Sequence, residues 1–409
     1  MACGITTQIL GNWCIGDSLP IINENFEKLE SSVCSLTSNT IFTTNTSTVS
    51  LSFQNTSRSL EANVNNKSIT NAKLSFDEGC YGFRNKLING SFDFWQRGVS
   101  FAGITPATVQ YTADRWGVIA NGNTLDIARG TFSISDNFPE TINTDFLNPS
   151  YYLKLTVTNA PVLTNYPKLV QRIESARTLA GRTITVSFYA NATVNSGSSR
   201  LVTLSLLQRA TSATSSNSSP VSINVSTGQW KKYEVTMTVP SLLVIPDNES
   251  YLELDIMPQA SLGDFMITGV QLEPGTRSTA YEIRPLAVEL DMCQRFFEKS
   301  YDTFTAPGFP TDENCETFFS GNNTSNFKLA SRFKTTKRTK ISSTYSKIYD
   351  PNSLNASGQC RINGGGALNM VIDTNISSSK TIVFDPNGVS ATSGAMLKWH
   401  YTADAEFYP

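Results

Sequence analysis

The stretch Asn89-Gly-Ser-Phe-Asp-Phe-Trp-Gln-Arg-Gly98, with Tyr111-Thr-Ala-Asp-Arg-Trp-Gly117 shortly after it, marks where the large compact unit of this chain begins. Its opening Asn-Gly pair is typical of a turn. Phe92 and Phe94 then alternate with polar neighbours, which is the period of a half-buried strand. The sequence therefore predicts a first core strand over residues 91–95, and the residues before it are predicted to form a stalk or attachment region.

Two large aromatic side chains in the second stretch flank a pair of opposite charges. Tyr111 and Trp116 lie on either side of Asp114 and Arg115. Because large rings bury much apolar surface, we expect an aromatic core beside a surface ion pair. The alternative is that the Tyr and Trp faces form a platform on which a sugar stacks.

Composition and charge disfavour several classes of protein. A chain of 409 residues is long for one domain and predicts two or three. The 32 Lys and Arg residues against 34 Asp and Glu residues give a net charge of −2, so no basic excess is present to bind nucleic acid. No apolar run is long enough for membrane insertion, and we expect no signal peptide.

The seven cysteines are an odd number without CxxC pairing. This pattern argues against a zinc site and against a disulfide framework. We expect reduced thiols, as in a protein assembled in a bacterial cytoplasm, and no cofactor.

Residues 86–284 predict an antiparallel β-sandwich of jelly-roll type. Their apolar runs alternate with polar residues and are punctuated by Gly, Pro, Asn and Ser, with no helical runs between them. The strand candidates are residues 151–156, 169–173, 184–190, 202–207, 232–239, 252–256 and 265–272. Residues 195–199 and 210–219, made of small polar side chains, are predicted loops.

Residues 1–36 predict an attachment segment that ends in a helix over residues 18–36. Ser18 suits the N-cap and Pro20 the first helical turn. Steps of three and four residues predict the seam of a short parallel coiled coil, formed by Leu19, Ile22, Phe26, Leu29, Val33 and Leu36. The alternative is a lone amphipathic helix packed on its own domain. Residues 37–85, rich in Thr, Ser and Asn, predict a β stalk or linker of thin strands.

Residues 285–300 predict a connector helix, with Pro285 in its first turn. Four apolar positions in it follow four- and three-residue steps, and they are Leu286, Leu290, Cys293 and Phe297. Two interpretations stay open. The helix forms a second seam on the same three-fold axis, or it packs on the sandwich as a plain connector.

Residues 301–409 predict a small C-terminal β-sandwich that forms a distal tip, with strands at 327–333, 340–345, 381–384 and 397–401. The loops 303–326 and 345–361 carry four aromatic residues with Asn and Asp neighbours, namely Phe304, Phe309, Tyr345 and Tyr349. Flat rings and short polar side chains suit sugar recognition, so these four are the predicted ligand-binding residues. The alternative is that they fill the small core.

A local basic run in the same segment consists of Lys334, Lys337, Arg338 and Lys340. Such a run is typical of a solvated strand face. The alternative is contact with an acidic polysaccharide of a cell surface.

Further motifs complete a resemblance to a known type of protein. Besides the two opening stretches they are Val170-Gln-Arg-Ile173, Leu179-Ala-Gly-Arg-Thr-Ile-Thr-Val-Ser-Phe-Tyr-Ala190, Gly228-Gln-Trp-Lys-Lys-Tyr233, Gly269-Val-Gln-Leu-Glu-Pro-Gly275, Cys293-Gln-Arg-Phe-Phe-Glu-Lys299 and Trp399-His-Tyr-Thr-Ala-Asp-Ala-Glu-Phe407. Taken in this order they resemble the β-sandwich module of bacteriophage tail-fibre and other virion-surface proteins, a module similar to carbohydrate-binding modules. The resemblance covers most of the chain from about residue 86 onward.

The resemblance implies a homotrimeric tail fibre on the virion surface, attached through its N-terminus to other phage virion proteins. It implies multivalent, non-catalytic binding to host cell-surface glycans, in which many weak sites add up to a high effective affinity. The alternative is a structural virion component with no receptor role, such as a capsid head fibre, a decoration protein or a baseplate part. The resemblance also allows one structural Ca²⁺, because similar sugar-binding sandwiches often carry one.

Catalysis has few candidate residues in this sequence. His400 is the only histidine, and it lies in the ending that resembles a common structural motif, so we expect a structural role for it. Asp114, Glu273 and Asp404 are the candidates for paired carboxylates of a glycosidase. Each belongs to a framework motif, and the long repetitive solenoid that is usual in depolymerases is missing. We therefore expect no enzymatic activity.

Overall fold

The structure is a computed structural model and describes residues 83–132, 149–162, 164–194, 197–320, 327–363, 365–386 and 394–408, together with two strands nearer the N-terminus. The chain divides into two compact units, Met1–Lys73 and Leu74–Pro409. In the first unit β1 (Thr40–Asn45) and β2 (Thr48–Phe53) pair antiparallel, which confirms thin strands in the predicted stalk. The predicted helix over residues 18–36 and its seam lie outside the described residues.

Thirteen strands in the described part of the second unit form an antiparallel β-sandwich. They are β3 (Ser100–Ile104), β4 (Gln110–Tyr111), β5 (Gly117–Ile119), β6 (Thr124–Thr131), β7 (Tyr151–Asn159), β8 (Lys168–Glu174), β9 (Thr183–Ala192), β10 (Ser199–Thr211), β11 (Thr214–Asn217), β12 (Val221–Ser226), β13 (Lys231–Thr238), β14 (Tyr251–Pro258) and β15 (Gly263–Pro274). One sheet has the order β11-β10-β14-β8-β5-β4 with β12 also on β10, and the other has the order β13-β9-β15-β7-β6-β3. All seven strands predicted between residues 151 and 272 are confirmed.

Alternation of side chains along the strands explains the sandwich core. In β10 every second residue points inward, and Val202, Leu204 and Leu206 are fully buried between the sheets. Strand β14 is different, because its polar residues Glu253 and Asp255 are buried on the outer face. That face is covered by the C-terminal residues of the chain, where the side chain of Arg172 on β8 donates to the carbonyl oxygen of Phe407 at 2.5 Å.

The predicted first strand over residues 91–95 is wrong, although its aromatic residues are buried as expected. Asn89 and Phe92 both have φ of 58°, a left-handed conformation that interrupts a strand. The Asn89 side chain accepts a hydrogen bond from the backbone N–H of Phe94 at 3.0 Å and donates to the carbonyl oxygens of Phe94 and Asp114. These bonds satisfy backbone groups that a strand would pair with a neighbour, so turns replace the strand.

The expected surface ion pair of Asp114 and Arg115 is also wrong. Both side chains are 1% exposed, and Arg115 pairs with Glu406 from the end of the chain. The aromatic core beside them is confirmed, since Trp116 is fully buried and its ring N–H donates to the carbonyl oxygen of Asn89 at 2.9 Å. A buried charge requires a partner, and the fold supplies it from about 290 residues away.

Two further local predictions are corrected. Most of residues 210–219 are not a loop, because β10 continues to Thr211 and β11 pairs back onto it with Arg209 opposite Ser215. Small polar residues are compatible with this edge hairpin, which needs no buried side chains of its own. Residues 340–345 are not a strand, since the backbone N–H of Ser346 bonds to the carbonyl oxygen of Ser342 in a turn.

The helix α1 (Leu286–Gln294) confirms a connector helix, but it ends earlier than predicted. Phe297 lies on β16 (Phe297–Lys299), which pairs with the last strand of the chain. Cys293 is fully buried and Leu286 is 63% exposed, with Leu290 between these extremes. The predicted helical seam of Leu286, Leu290, Cys293 and Phe297 is therefore wrong, because pairing in the sheet takes Phe297 out of the helix.

The burial of α1 predicts that its Cys293 face contributes more to the free energy of unfolding than its Leu286 face. We expect Cys293→Ser to lower the free energy of unfolding by about 1–3 kcal/mol, because it replaces a fully buried thiol with a more strongly hydrated hydroxyl group that must find a hydrogen-bond partner. Leu286→Ser on the exposed face is expected to change it by less than about 0.5 kcal/mol. Urea denaturation of both variants checks this, and equal losses would contradict the burial of the Cys293 face.

Eight strands form the C-terminal part of the described chain, and β24 is its centre. They are β17 (Glu316–Phe319), β18 (Leu329–Arg332), β19 (Lys347–Tyr349), β20 (Gln359–Ile362), β21 (Ala367–Asn369), β22 (Val371–Ile372), β23 (Thr381–Asp385) and β24 (Met396–Asp404). Strand β24 pairs with β16, β17, β19 and β20, while β18, β23 and β22 form a second small sheet. The strands predicted at 327–333, 381–384 and 397–401 are confirmed.

The C-terminal part is not a separate distal unit, contrary to the prediction. It has its own core around Trp399 and Phe384, but the last residues of the chain pack against the sandwich. Phe407 meets the rings of Tyr251 and Phe296 at centroid distances of 5.2 and 6.2 Å. Residues 86–284 and 301–409 therefore belong to one compact unit with two cores.

Candidate functional site

A cleft of about 420 Å³ lies where the sandwich meets the C-terminal part. We call it the aromatic cleft and define it by Arg97, Tyr111, Tyr345, Lys347, Tyr349 and Tyr408, which line it. Tyr111 comes from β4, Lys347 and Tyr349 from β19, and Tyr408 from the segment after β24. The cleft exists only because the end of the chain returns to the sandwich.

The most prominent feature of the aromatic cleft is a pair of parallel tyrosine rings. Tyr345 and Tyr408 stack with a centroid distance of 3.5 Å and an interplanar angle of 7°. Tyr111 meets Tyr408 edge-on at 5.4 Å, and its hydroxyl group donates to the carbonyl oxygen of Phe407 at 2.9 Å. Tyr408 is thus held in place by its neighbours, while Tyr345 remains 40% exposed. A flat apolar face is therefore offered to solvent on a rigid support.

Charged groups hold the floor of the aromatic cleft. The Arg97 guanidinium lies over the ring of Phe297 at 3.8 Å and donates to a carboxylate oxygen of Asp404 at 2.9 Å. The Tyr408 hydroxyl group donates to the same carboxylate at 2.9 Å. Burial raises the pKa of Asp404, and the charge of Arg97 opposes that rise. Asp404 thereby fixes both Arg97 and the stacked tyrosine.

Polar groups at the rim give the aromatic cleft hydrogen-bonding capacity. The exposed ammonium group of Lys347 has no carboxylate partner among the residues described, and Gln110 and Thr344 lie nearby. Burial raises the pKa of the hydroxyl groups of Tyr349 and Tyr408, so both stay protonated at neutral pH. Donors and acceptors next to a ring face are the combination that binds sugar hydroxyl groups.

The structure separates the four predicted ligand-binding residues into two pairs. Tyr345 and Tyr349 line the aromatic cleft. Phe304 and Phe309 do not line it, although they are 75% and 54% exposed in the neighbouring loop. None of the four belongs to the buried C-terminal core.

The sequence did not assign Arg97, Lys347 or Tyr408 to a binding site. It predicted that Tyr111 belongs to an aromatic core, with a sugar platform as the alternative. Tyr111 and Tyr408 are nearly 300 residues apart, and no local pattern connects them. The only signal was the aromatic cluster of the second quoted stretch, which contains Tyr111.

The carboxylate candidates and the histidine occupy buried, bonded positions. Asp114 and Asp404 both lie against Arg97, at 3.9 and 2.9 Å, whereas Glu273 is in a different place and accepts from Gln271 and Thr279. His400 is fully buried, with Nδ1 2.9 Å from the Ser300 hydroxyl oxygen and Nε2 2.9 Å from the carbonyl oxygen of Thr311. Burial lowers its pKa, so the ring is neutral at pH 7.

The basic run divides between the interior and the surface, so the prediction of one solvated strand face is wrong. Lys337 is 1% exposed and pairs with Glu298 at 2.6 Å, and Arg338 bonds to the backbone of Ala405 at 3.0 Å. Lys334 and Lys340 are exposed. The two inner cations are used to join segments of the C-terminal part, which the sequence pattern does not reveal.

The described residues offer neither a metal centre nor a membrane-spanning helix. No group of three or more His, Cys, Asp or Glu side chains is arranged there to hold a metal ion. No helix in that part of the chain is long and apolar enough to cross a membrane.

Comparison with known proteins found structural likeness only. No protein-family model matches the sequence, and no curated protein matches it. The enzymatically active domain of tailspike protein 4 from bacteriophage CBA120 is 14% identical over 47% of this chain and 21% of its own length, with a TM-score of 0.28. A putative sugar binding protein from Bacteroides thetaiotaomicron is 14% identical over 46% of this chain and 99% of its own, with a TM-score of 0.32.

A xylan-binding CBM22 domain from Paenibacillus barcinonensis is also similar. It is 16% identical over 39% of this chain and 91% of its own, with a TM-score of 0.28. This chain spans about a fifth of the length of the tailspike domain.

Proposed function

We propose that this protein binds carbohydrate in the aromatic cleft without catalysis, as a fibre on the surface of a phage virion. The stacked pair of Tyr345 and Tyr408 carries the proposal, because it presents a supported ring face next to Lys347 and several hydroxyl groups. A sugar has apolar C–H faces and polar edges. It can stack on Tyr345 while its hydroxyl groups bond to the rim.

The size and exposure of the aromatic cleft support binding of a short glycan segment. The volume of about 420 Å³ is within the range of small-molecule sites, and the cleft opens to solvent, so a longer chain can extend beyond it. Binding without catalysis is supported by the carboxylates, since Asp404 and Asp114 are buried and held by Arg97.

The virion role rests on the sequence motifs. Their order resembles that of phage virion-surface proteins, and the predicted seam of residues 18–36 favours a homotrimer attached through its N-terminus. Three clefts on one fibre convert weak single-site binding into firm attachment. The alternative is a structural virion component without a receptor role, and the following test distinguishes it from a glycan-binding fibre.

Replacing Tyr345 should weaken glycan binding at a single site. We expect Tyr345→Ala to reduce the affinity for the bound glycan by about tenfold, because the exposed stacking face is lost. Tyr345→Phe is expected to bind like the wild type. The measurement is titration of the purified chain with members of a glycan panel that bind the wild type.

Phe304→Ala is the matched control, because Phe304 is exposed in the neighbouring loop and does not line the aromatic cleft. Loss of binding in Phe304→Ala with full binding in Tyr345→Ala would place the site elsewhere. Absence of binding to any glycan by the wild type would favour the structural virion component.

A further inference from the structure

A second concave site lies apart from the aromatic cleft, between the end of α1 and the strands β17 and β18. This polar pocket of about 320 Å³ is defined by Gln294, Glu316, Arg332 and Lys334, which line it together with Tyr301 and Tyr401. Amide, carboxylate, guanidinium and ammonium groups thus face one space. Polar groups that converge on one space can fix the orientation of a ligand bound there.

Two of the four polar side chains of this pocket act on each other, since burial raises the pKa of Glu316 and the charge of Lys334 opposes that rise. None of the four side chains makes a hydrogen bond or an ion pair with any residue that the structure describes. Gln294 lines the pocket from the end of α1, and the residue as a whole is 6% exposed. Polar side chains that face a pocket without a fixed hydrogen-bond partner in the protein are able to bond to a ligand there.

A third cation lies behind the polar pocket. Lys299 is 1% exposed and its ammonium group donates to the carbonyl oxygens of Gln96, Thr303 and Thr305 at 2.8, 3.0 and 2.6 Å. Burial lowers its pKa to about 8, so it remains mostly charged at pH 7. This fixed charge adds to the two cations that line the pocket.

The charges favour one class of ligand. Arg332, Lys334 and Lys299 carry three positive charges against the carboxylates of Glu316 and Asp302, although the whole chain has a net charge of −2. A guanidinium binds a carboxylate with two parallel bonds. Glu316 disfavours a doubly charged phosphate but accepts bonds from hydroxyl groups. A singly charged acid flanked by hydroxyl groups fits both requirements.

We infer that the polar pocket binds the carboxylate-bearing sugar residue of an acidic glycan. Arg332 and Lys334 contact the carboxylate, while Gln294 and Glu316 bond to neighbouring hydroxyl groups. The inference rests on the proposed glycan binding and adds the class of glycan to it. It also gives a role to Lys334, which belongs to the basic run, and to Arg332, which lies outside that run.

The test uses an array of uronate-containing oligosaccharides, each printed beside the same oligosaccharide with its carboxyl groups reduced to alcohols. The wild type is expected to bind the acidic members at least about tenfold more tightly than their reduced counterparts. The double variant Arg332→Met/Lys334→Met is expected to lose this preference. Lys340→Met is the control, because Lys340 is an exposed cation of the same run that does not line the pocket.

The outcomes separate this inference from the proposed function. Equal binding of acidic and reduced members, or an acid preference that survives in the double variant, overturns the polar pocket and leaves glycan binding intact. Loss of the preference in Lys347→Met and not in the double variant assigns the carboxylate to the aromatic cleft, which also overturns the inference. If neither acidic nor neutral glycans bind, the proposed function fails as well.

Discussion

Arg115→Met is expected to lower the free energy of unfolding by about 3 kcal/mol, because it removes the nearer of the two arginines that face the buried carboxylate of Glu406. Arg115 is 1% exposed, pairs with Glu406 and lies over the ring of Phe296 at 3.4 Å. Methionine fills much of the space of the arginine but cannot neutralise the Glu406 carboxylate. Arg97 lies 3.6 Å from the other oxygen of this carboxylate and already pairs with Asp404 at 2.9 Å, so it compensates only part of the buried charge.

Two comparisons isolate the charge from the packing. The double variant Arg115→Met/Glu406→Gln removes both charges and should recover a substantial part of the loss. Lys154→Met breaks an ion pair with Asp264 in which the lysine is 40% exposed, and it should cost less than about 1 kcal/mol. Urea titration of each variant gives the values. A loss below about 1 kcal/mol in Arg115→Met would mean that this pair does not join the sandwich to the end of the chain.

Phe26→Asp is expected to lower attachment to a glycan-coated surface by about 10²–10⁴-fold, with unchanged affinity for a soluble monovalent glycan. Phe26 lies in the predicted seam of the N-terminal coiled coil, where three carboxylates would meet at one level. Unpaired charges in such a position cost several kcal/mol and prevent association of the helices. Each chain then binds through one cleft. The high effective concentration of surface glycan at the second and third clefts of a bound trimer is lost.

The expected change in mass is the control for this prediction. Light scattering should give three chains for the wild type and for Phe26→Leu, and one chain for Phe26→Asp. A wild type that is already monomeric would refute the predicted seam. Equal surface attachment of the trimer and the monomeric variant would instead refute the role of avidity.

The aromatic residues of the stretches 89–98 and 111–117 show what a local sequence pattern can predict. Phe92 and Trp116 are buried, as their size requires. The pattern failed for the backbone, because the Asn89 side chain bonds to Phe94 and Asp114 and replaces a strand by turns. A period-two pattern records which side chains are buried, and it does not record how the backbone hydrogen bonds are satisfied.

At Phe297 the pattern failed in another way, because the connector helix was predicted correctly but the residue at which it ends was not. The four-residue step from Cys293 to Phe297 fits a helix, yet Phe297 pairs with Asp404 in a sheet. Local stepping cannot detect a partner strand more than 100 residues later in the chain.

By itself the sequence determined seven of the thirteen described sandwich strands, because alternation between the two faces of a strand is a local property of the chain. It also placed Tyr345 and Tyr349 among the candidate binding residues. Only the tertiary structure decided that Tyr408 stacks on Tyr345, that Arg115 pairs with Glu406, and that Gln294 lines one pocket with Arg332. These contacts join residues far apart in the chain, and they form because buried rings and buried charges must find partners wherever the fold supplies them.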